Sequence, residues 1–378
     1  MTRELMDLLS GWSQEMVDCL GEMVTLESPS DNKAAVDAFG GFLADQFQQL
    51  DATVERVGQA AVGDHRVVRW GGGAGQALIL CHMDTVWPVG TVRTRPFEVR
   101  AGRAYGPGVF DMKGGITILL YALRALETLE RRPPKEVVVL LNSDEEPGSV
   151  TSRSLIESLA VESDYVLVLE PAEPPHGALK TFRKGLGRFS MTIEGRASHS
   201  GSSHREGISA IEELATQVLR LHSLTNYDTG VTVNVGLVSG GTRANVVAAE
   251  ARAEIDLRVN TKEQGEEMVD QILALEPTRS GIRLEVEGGL NRPPMERSPE
   301  IIAMYQKAQA LGAELGLELK EASCGAGSDG NFTAALGIPT LDGLGAVGDG
   351  AHSVDEFVVV ESLPRRAALL AALLLNLE

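Results

Sequence analysis

The chain has 378 residues, 43% of them hydrophobic and 23% charged, the composition of a globular protein with room for two domains or for one domain carrying an insertion. Thirty-four Lys and Arg stand against 53 Asp and Glu, a formal charge of −19. A field of that sign repels phosphate backbones and anionic bilayers, which argues against nucleic acid and membrane surfaces as partners.

Cys19, Cys81 and Cys324 form neither a C-x-x-C pair nor an even disulfide framework, as expected in a reducing compartment such as the cytoplasm. Glu4, Asp7, Glu15 and Asp18 interrupt any apolar run of a signal peptide. Leu5, Leu8, Leu9, Trp12, Met16 and Leu20 follow helical spacing instead and predict a helix packed on the core. The apolar stretches Ile116–Leu120 and Leu369–Leu375 are too short to span a bilayer.

Ala77–Cys81, Val137–Leu141 and Tyr165–Leu169 are short continuous apolar runs, the pattern of strands buried on both faces of a mixed or parallel sheet. Helices are predicted at Gly114–Glu130 and Ser149–Ala160, and the alternation is that of an α/β layer architecture. After Lys180 the order changes. A strand at Arg188–Gly195 precedes a helix at Gly207–Leu224, with Ile208, Ile211, Leu214, Ala215, Val218 and Leu221 on one face. Strands at Val231–Val238 and Val246–Val259 follow, then a helix at Thr261–Leu275 with Thr261 and Gln264 as a capping box, then a strand at Ile282–Glu287. This β-α-β-β-α-β order is that of the ferredoxin-like split unit, which can fold as its own small domain.

Arg292-Pro-Pro294 marks a crossing back. Helices near Ser298–Leu315 and Gly330–Leu336, a strand near Glu318–Ala322 and a closing helix at Glu361–Leu375 complete the chain. The expected architecture is an α/β catalytic domain, 1–180 and 292–378, with a mostly parallel central sheet flanked by helices, interrupted by a smaller domain at 181–291.

The residues after each buried strand carry the chemistry. Cys81 is followed by His82-Met-Asp84, Leu141 by Asn142-Ser-Asp-Glu145-Glu146, and Leu169 by Glu170-Pro. Gly106-Pro-Gly-Val-Phe-Asp111 adds a carboxylate just before a helix. Open α/β sheets bind ligands outside the carboxyl ends of their strands, so parallel strands would bring these groups together. Asp84, Asp111, Glu145, Glu146 and Glu170 could not all stay ionised in one place without compensating charge, and two divalent cations would cancel most of it. Imidazole and carboxylate ligands suit zinc, with manganese or cobalt as alternatives. Taken singly, each signal has a plainer reading: a solvated Glu-Glu loop, a hydrogen-bonded core histidine, an Asp that caps a helix. Their repetition at successive strand ends points to a metal centre.

Other signals lead nowhere. Gly71-Gly-Gly-Ala-Gly75 precedes a strand instead of following one, so it is a turn and no dinucleotide fingerprint. The chain has no G-x-S-x-G elbow and no H-E-x-x-H helix. Cys81 and His82 are consecutive in a strand and face opposite ways, which excludes them as a nucleophile pair.

His82-x-Asp84, Gly106-x-Gly-x-x-Asp111-Met-Lys-Gly-Gly, Asp144-Glu145-Glu146-x-Gly148, Glu170-Pro and Gly350-Ala-His352-Ser-x-Asp-Glu356 together resemble the co-catalytic zinc metallopeptidases. That family includes glutamate carboxypeptidases, aminoacylases, acetylornithine deacetylase and succinyl-diaminopimelate desuccinylase. The resemblance spans nearly the whole chain and is greatest to the bacterial folate-cleaving glutamate carboxypeptidases. It implies His82 and Glu170 as ligands of one zinc, Glu146 and His352 as ligands of a second, and Asp111 as the bridge. It implies Asp84 as the partner that orients His82, and Glu145 as general base.

Ala197-Ser-His199-Ser-Gly201 resembles the family's lid motif, in which the histidine reaches across a homodimer and stabilises the oxyanion. Asn245 and Arg258 match lid positions that hold the substrate carboxylate, with Arg292 a further candidate, and Gly327 and Ser328 match a pocket-lining loop. The implied activity is hydrolysis of an amide bond next to a free carboxylate, as in a glutamate carboxypeptidase, on a small peptide or N-acyl amino acid. An N-acyl amino acid deacylase is the alternative within the family. A non-catalytic metal-stabilised binding protein is the alternative outside it, and the Glu145 base weighs against that.

Overall fold

In the computed structural model, which describes residues 2–377, the three apolar runs lie side by side in one six-stranded sheet. Its order is Thr53–Val57, His65–Trp70, Glu136–Asn142, Gln76–His82, Tyr165–Val168, Thr340–Leu341. All but His65–Trp70 point the same way. Gln76–His82 has parallel partners on both sides and is buried along its whole length, which is why its sequence shows no polar alternation.

Successive side chains of these strands feed two cores. Ala77, Ile79, Cys81, Val137, Val139 and Leu141 pack with the helices Gly114–Thr128 and Ser362–Asn376. Leu78, Leu80, Val138 and Leu140 pack on the other face with Ile156 and Leu159 of the helix Arg153–Val161 and with Phe332 of Gly330–Ala335. The sheet is therefore mixed, largely parallel and covered by helices.

The chain divides into two compact units. One comprises the residues up to Phe182 together with Arg297–Cys324 and the residues from Ser328 onward; the other comprises Arg183–Glu296 and Gly325–Gly327. In the second, an antiparallel sheet ordered Thr232–Gly240, Glu250–Val259, Gly185–Glu194, Arg283–Arg292 buries one face under the helices Ala210–His222 and Lys262–Leu273. Glu250–Val259 alternates buried and open residues, as a one-sided sheet requires. Thr261 and Gln264 form the expected reciprocal capping box.

The expected apolar face of Ala210–His222 is rotated. Ile211 is exposed, while Glu213 and Gln217 are fully buried beside Leu214 and Leu221. Glu213 is tolerated there because Thr278 donates to it through backbone and hydroxyl, at 2.9 and 2.6 Å, and Gln217 Nε2 donates at 2.7 Å.

Three further differences have local causes. The N-terminal helix is divided at Trp12 into Thr2–Gly11 and Ser13–Thr25. The strands Thr53–Val57 and His65–Trp70 carry Glu55, Arg56, Arg66 and Arg69 and so show no apolar run. A small antiparallel sheet ordered Gly348–Asp349, Phe357–Val359, Arg103–Tyr105, Glu98–Arg100 is made of segments too short to show a period-two pattern. No helix among the described residues is long and apolar enough to cross a membrane.

Asp64, just before the strand His65–Trp70, supplies a test of stability. Burial pushes its carboxyl up, but Lys33 at 2.5 Å, the Gln59 N–H at 2.8 Å and Arg56 outweigh this and hold it well below the usual carboxylate range. A depressed folded pKa adds stability above the unfolded pKa, near 4, and loses it as the pH falls below that value. Asp64→Asn is therefore expected to lower the urea midpoint at pH 7, with the gap to wild type narrowing below about pH 4. A gap independent of pH would contradict the assignment.

Candidate metal centre

The acidic cluster follows from strand register. Gln76–His82 pairs in parallel with Glu136–Asn142, His82 opposite Asn142, and with Tyr165–Val168, Leu80 opposite Val168. The three carboxyl ends therefore coincide, and the residues that follow, Asp84, Glu145, Glu146 and Glu170, emerge at one edge of the sheet. Asp111 arrives from the loop that precedes Gly114–Thr128. Gly108 in that loop has φ +70°, and a Cβ there would stand 2.7 Å from Thr85 Cγ2, so only glycine fits. His352 arrives from a turn after Gly348–Asp349, itself in the left-handed region at φ 62°.

Asp111 stands between two imidazoles. Its Oδ1 is 3.1 Å from His82 Nε2 and its Oδ2 is 3.4 Å from His352 Nε2. Glu170 Oε1 lies 3.6 Å from His82 Nε2, and Glu146 Oε2 lies 3.1 Å from His352 Nε2. Donor atoms of His82, Glu145 and Glu170 all fall within 4.8 Å of one another, as do those of His82, Asp111 and Glu146. His82, Asp111, Glu146, Glu170 and His352 are thus brought together, with Glu145 beside His82 and Glu170.

Asp84 is fully buried and does two things. Its carbonyl oxygen lies 2.9 Å from His82 Nδ1 and so orients the ring, while its carboxylate is farther away, at 3.6 Å. The carboxylate instead accepts the backbone N–H groups of Glu145 at 3.1 Å and Glu146 at 3.2 Å, and the Ser30 hydroxyl at 2.6 Å. One side chain therefore fixes where both acidic residues leave their strand.

The electrostatics call for positive charge. Burial pushes the His82 imidazolium pKa down, but Asp111, Asp84 and Glu170 outweigh this and raise it well above the ordinary value. Asp111 and Glu146 push His352 up to about 10. Burial pushes Asp111 up, yet the two imidazoles pull it lower still, and burial holds Glu146 above the usual range. With its Nδ1 proton given to the Asp84 carbonyl, His82 presents Nε2 to carboxylate oxygens, so that edge must carry either a proton, as the raised pKa allows, or a cation in its place. Glu146 Oε1 is buried with no hydrogen-bond partner. Imidazole nitrogens and carboxylate oxygens converging around such an atom fit divalent zinc, cobalt or manganese.

The remaining candidates each have contacts within their own unit. In the second unit, His199 is exposed, and its Nδ1 accepts the N–H groups of Gly201 and Ser202, both at 3.1 Å. Its neutral ring must then carry the proton on Nε2, as a free-standing donor. The Asn245 carbonyl accepts the Ser200 N–H at 3.0 Å. Arg258 forms a fork on Asp256, Nε to Oδ1 at 2.8 Å and Nη2 to Oδ2 at 3.0 Å. Arg292 is buried, and a Cβ at Gly327 would stand 2.8 Å from its Cδ. In the first unit, Ser328 is fully buried and donates its hydroxyl to Asp342 at 2.6 Å.

Several supporting residues carry no role in the sequence reading. Asp144 accepts Thr151 N–H, Thr151 Oγ1 and Ser152 Oγ at 2.6, 2.8 and 2.6 Å and so closes the loop behind Glu145 and Glu146. Asn142 donates to Asp329 at 2.7 Å. Glu356 is buried under the Asp111 loop, where burial pushes its carboxyl up to about 7 against the pull of backbone N–H groups. Their only signal was membership of the quoted motifs.

The model of peptidase family M20/M25/M40 matches residues 78–376. Carboxypeptidase G2 of Pseudomonas sp. (strain RS-16) is 31% identical over 371 residues, 96% of this chain and 89% of the relative. Acetylornithine deacetylase of Proteus mirabilis is 28% identical over 330 residues, 81% of this chain and 80% of the relative. The crystal structure of a tripeptidase from Staphylococcus aureus superposes with a TM-score of 0.82 at 22% identity, covering 96% of this chain and 97% of that one. The chain belongs to the M20/M25/M40 peptidase family and is a metal-dependent hydrolase.

Proposed function

We propose that this enzyme is a carboxypeptidase of the glutamate type, cleaving an amide bond beside a free carboxylate with Glu145 as general base. The observation that carries the reading is Asp111, placed with one oxygen toward each imidazole. Two zinc ions are the proposed occupants, with cobalt or manganese as substitutes, held by His82 and Glu170 on one side, Glu146 and His352 on the other, and Asp111 between. When bound, such ions lower the pKa of water and polarise the scissile carbonyl.

The protein's own groups do the rest. Glu145 takes the proton of the attacking water on its carboxylate and passes it to the leaving amine. Asp84 keeps Glu145 in place through the backbone N–H it accepts. The Nε2–H of His199, contributed by a partner subunit, donates to the oxyanion. The second unit is read as a ferredoxin-like lid and dimerisation domain. Asn245, Arg258 and Arg292 are proposed to receive the substrate carboxylate, and Gly327 and Ser328 to border the pocket. The free cysteines fit a cytoplasmic setting.

Arg258 provides a test of substrate class. Its fork is held by Asp256, so the guanidinium is already oriented. Arg258→Ala is expected to raise KM by ~10-fold or more for substrates with a free carboxylate beside the cleaved bond, one charged hydrogen bond being worth about 1.5–3 kcal/mol. An equal effect on amidated analogues would exclude the contact. A panel of C-terminal glutamate peptides against N-acetyl and N-succinyl amino acids separates the carboxypeptidase from a deacylase, the activity named for the Proteus mirabilis relative.

A further inference from the structure

Asp111 and His352 lie far apart in sequence, on a loop and a turn that have no regular structure of their own to fix them. Both are gathered by one residue. Glu356 is 1% exposed. Its Oε1 accepts the N–H of Phe110 at 2.8 Å and of Asp111 at 3.0 Å. Its Oε2 accepts the N–H of Gly108 at 3.0 Å and the indole N–H of Trp87 at 3.0 Å.

The same residue is tied to the His352 turn. Its own N–H donates to the Ser353 carbonyl at 3.1 Å, and the next residue, Phe357, pairs with Tyr105 at the head of the Asp111 loop. Trp87 is clamped in turn by the Arg95 guanidinium, 4.2 Å above its ring, and Arg95 Nη2 reaches the Ser353 carbonyl at 3.4 Å.

We propose that Glu356 is a positioning residue of the metal centre, whose carboxylate holds the Asp111 backbone while its own N–H ties it to the His352 turn, in the register that lets one carboxylate serve both imidazoles. This rests on the reading of Asp111 and His352 as metal ligands. All four partners of the Glu356 side chain are donors. A carboxylate offers about four acceptor sites, and a carboxamide has one acceptor oxygen and one donor nitrogen. Glu356→Gln keeps the shape but must set its NH2 against N–H groups on one side, whichever way it is flipped. Two of the four hydrogen bonds are then lost, both from the Asp111 loop in one orientation, one from the loop and one from Trp87 in the other, while the packing around them stays.

The test uses the full-length protein, freed of metal and titrated with zinc against a competing chelator. Hydrogen exchange of the Gly108, Phe110 and Asp111 amides is followed in parallel. Glu356→Gln is expected to bind zinc ~10- to 100-fold more weakly than wild type, the usual loss for an outer-shell ligand partner, with faster exchange at those amides. Trp87→Phe, which removes one donor and leaves three, is expected to weaken zinc binding less, by a few-fold. Wild-type affinity and wild-type protection in Glu356→Gln would overturn the proposal. If that variant does not fold, unchanged affinity and protection in Trp87→Phe would overturn it. Wild-type zinc affinity in Asp111→Asn would overturn the reading of the centre, and the proposal with it; zinc affinity lost in Asp111→Asn but kept in Glu356→Gln overturns the proposal alone.

Discussion

Glu145→Gln is expected to retain its metal ions and to lose kcat by at least ~10²-fold, and up to ~10⁴-fold, the range associated with removing a positioned general base. The side chain keeps its size, and the backbone N–H of residue 145 keeps its bond to Asp84 Oδ1 at 3.1 Å, so the local fold has no reason to move. Only the ability to take a proton is lost. Metal content by elemental analysis and kcat by product release are the two measurements. Full turnover in a metal-loaded variant would remove Glu145 from the base role. Loss of metal would reassign Glu145 as a ligand, a role its place beside His82 and Glu170 would permit.

Asp111→Ala is expected to have the largest effect. Asp111 is the one carboxylate with an oxygen 3.1 Å from His82 and the other 3.4 Å from His352 among the described residues. Removing it leaves two imidazoles and neighbouring carboxylates with no shared anion between them. Zinc affinity should fall by more than the ~10- to 100-fold that loss of an outer-shell partner costs, and turnover should drop below detection. Stripping wild type with a chelator should abolish turnover reversibly, with zinc, cobalt or manganese restoring it. Retained activity in verified metal-free protein, or in Asp111→Ala, would contradict the ligand assignment.

The centre was legible where chemistry and strand ends coincide. His82, Glu145, Glu146 and Glu170 each follow a continuous apolar run, and parallel register turns that pattern in sequence into a cluster in space. His352 was legible only through resemblance. No apolar run precedes it, and the strands that bring it to Asp111, Gly348–Asp349 and Phe357–Val359, are two and three residues long. The role of the Asp84 carboxylate was not legible at all, because its partners are backbone N–H groups of Glu145 and Glu146, and a residue sequence does not show which amides face it.

The fold divides along the same line. Strands buried on both faces declare themselves by unbroken hydrophobicity. His65–Trp70 does not, because Arg66 is buried there with its Nη1 donating to the carbonyls of Asp64 at 3.1 Å and His65 at 3.2 Å. In Ala210–His222 the periodicity was right and Leu214, Val218 and Leu221 pack in the core, but the face is turned so that Ile211 and Ala215 are exposed. Glu213 and Gln217 face inward because a loop distant in sequence, at Thr278 and Glu276, supplies their hydrogen bonds. Tertiary partners of this kind override a hydrophobic pattern without leaving a trace in the local sequence.

The central claim is that Asp111 joins two cation sites. Anomalous diffraction from crystals of the zinc-loaded protein, measured on both sides of the zinc edge, tests it most directly. The expected map has two peaks flanking the Asp111 carboxylate, one shared with His82 and Glu170 and the other with Glu146 and His352. A map with no peak at Asp111, or with zinc bound only at other residues, would contradict it.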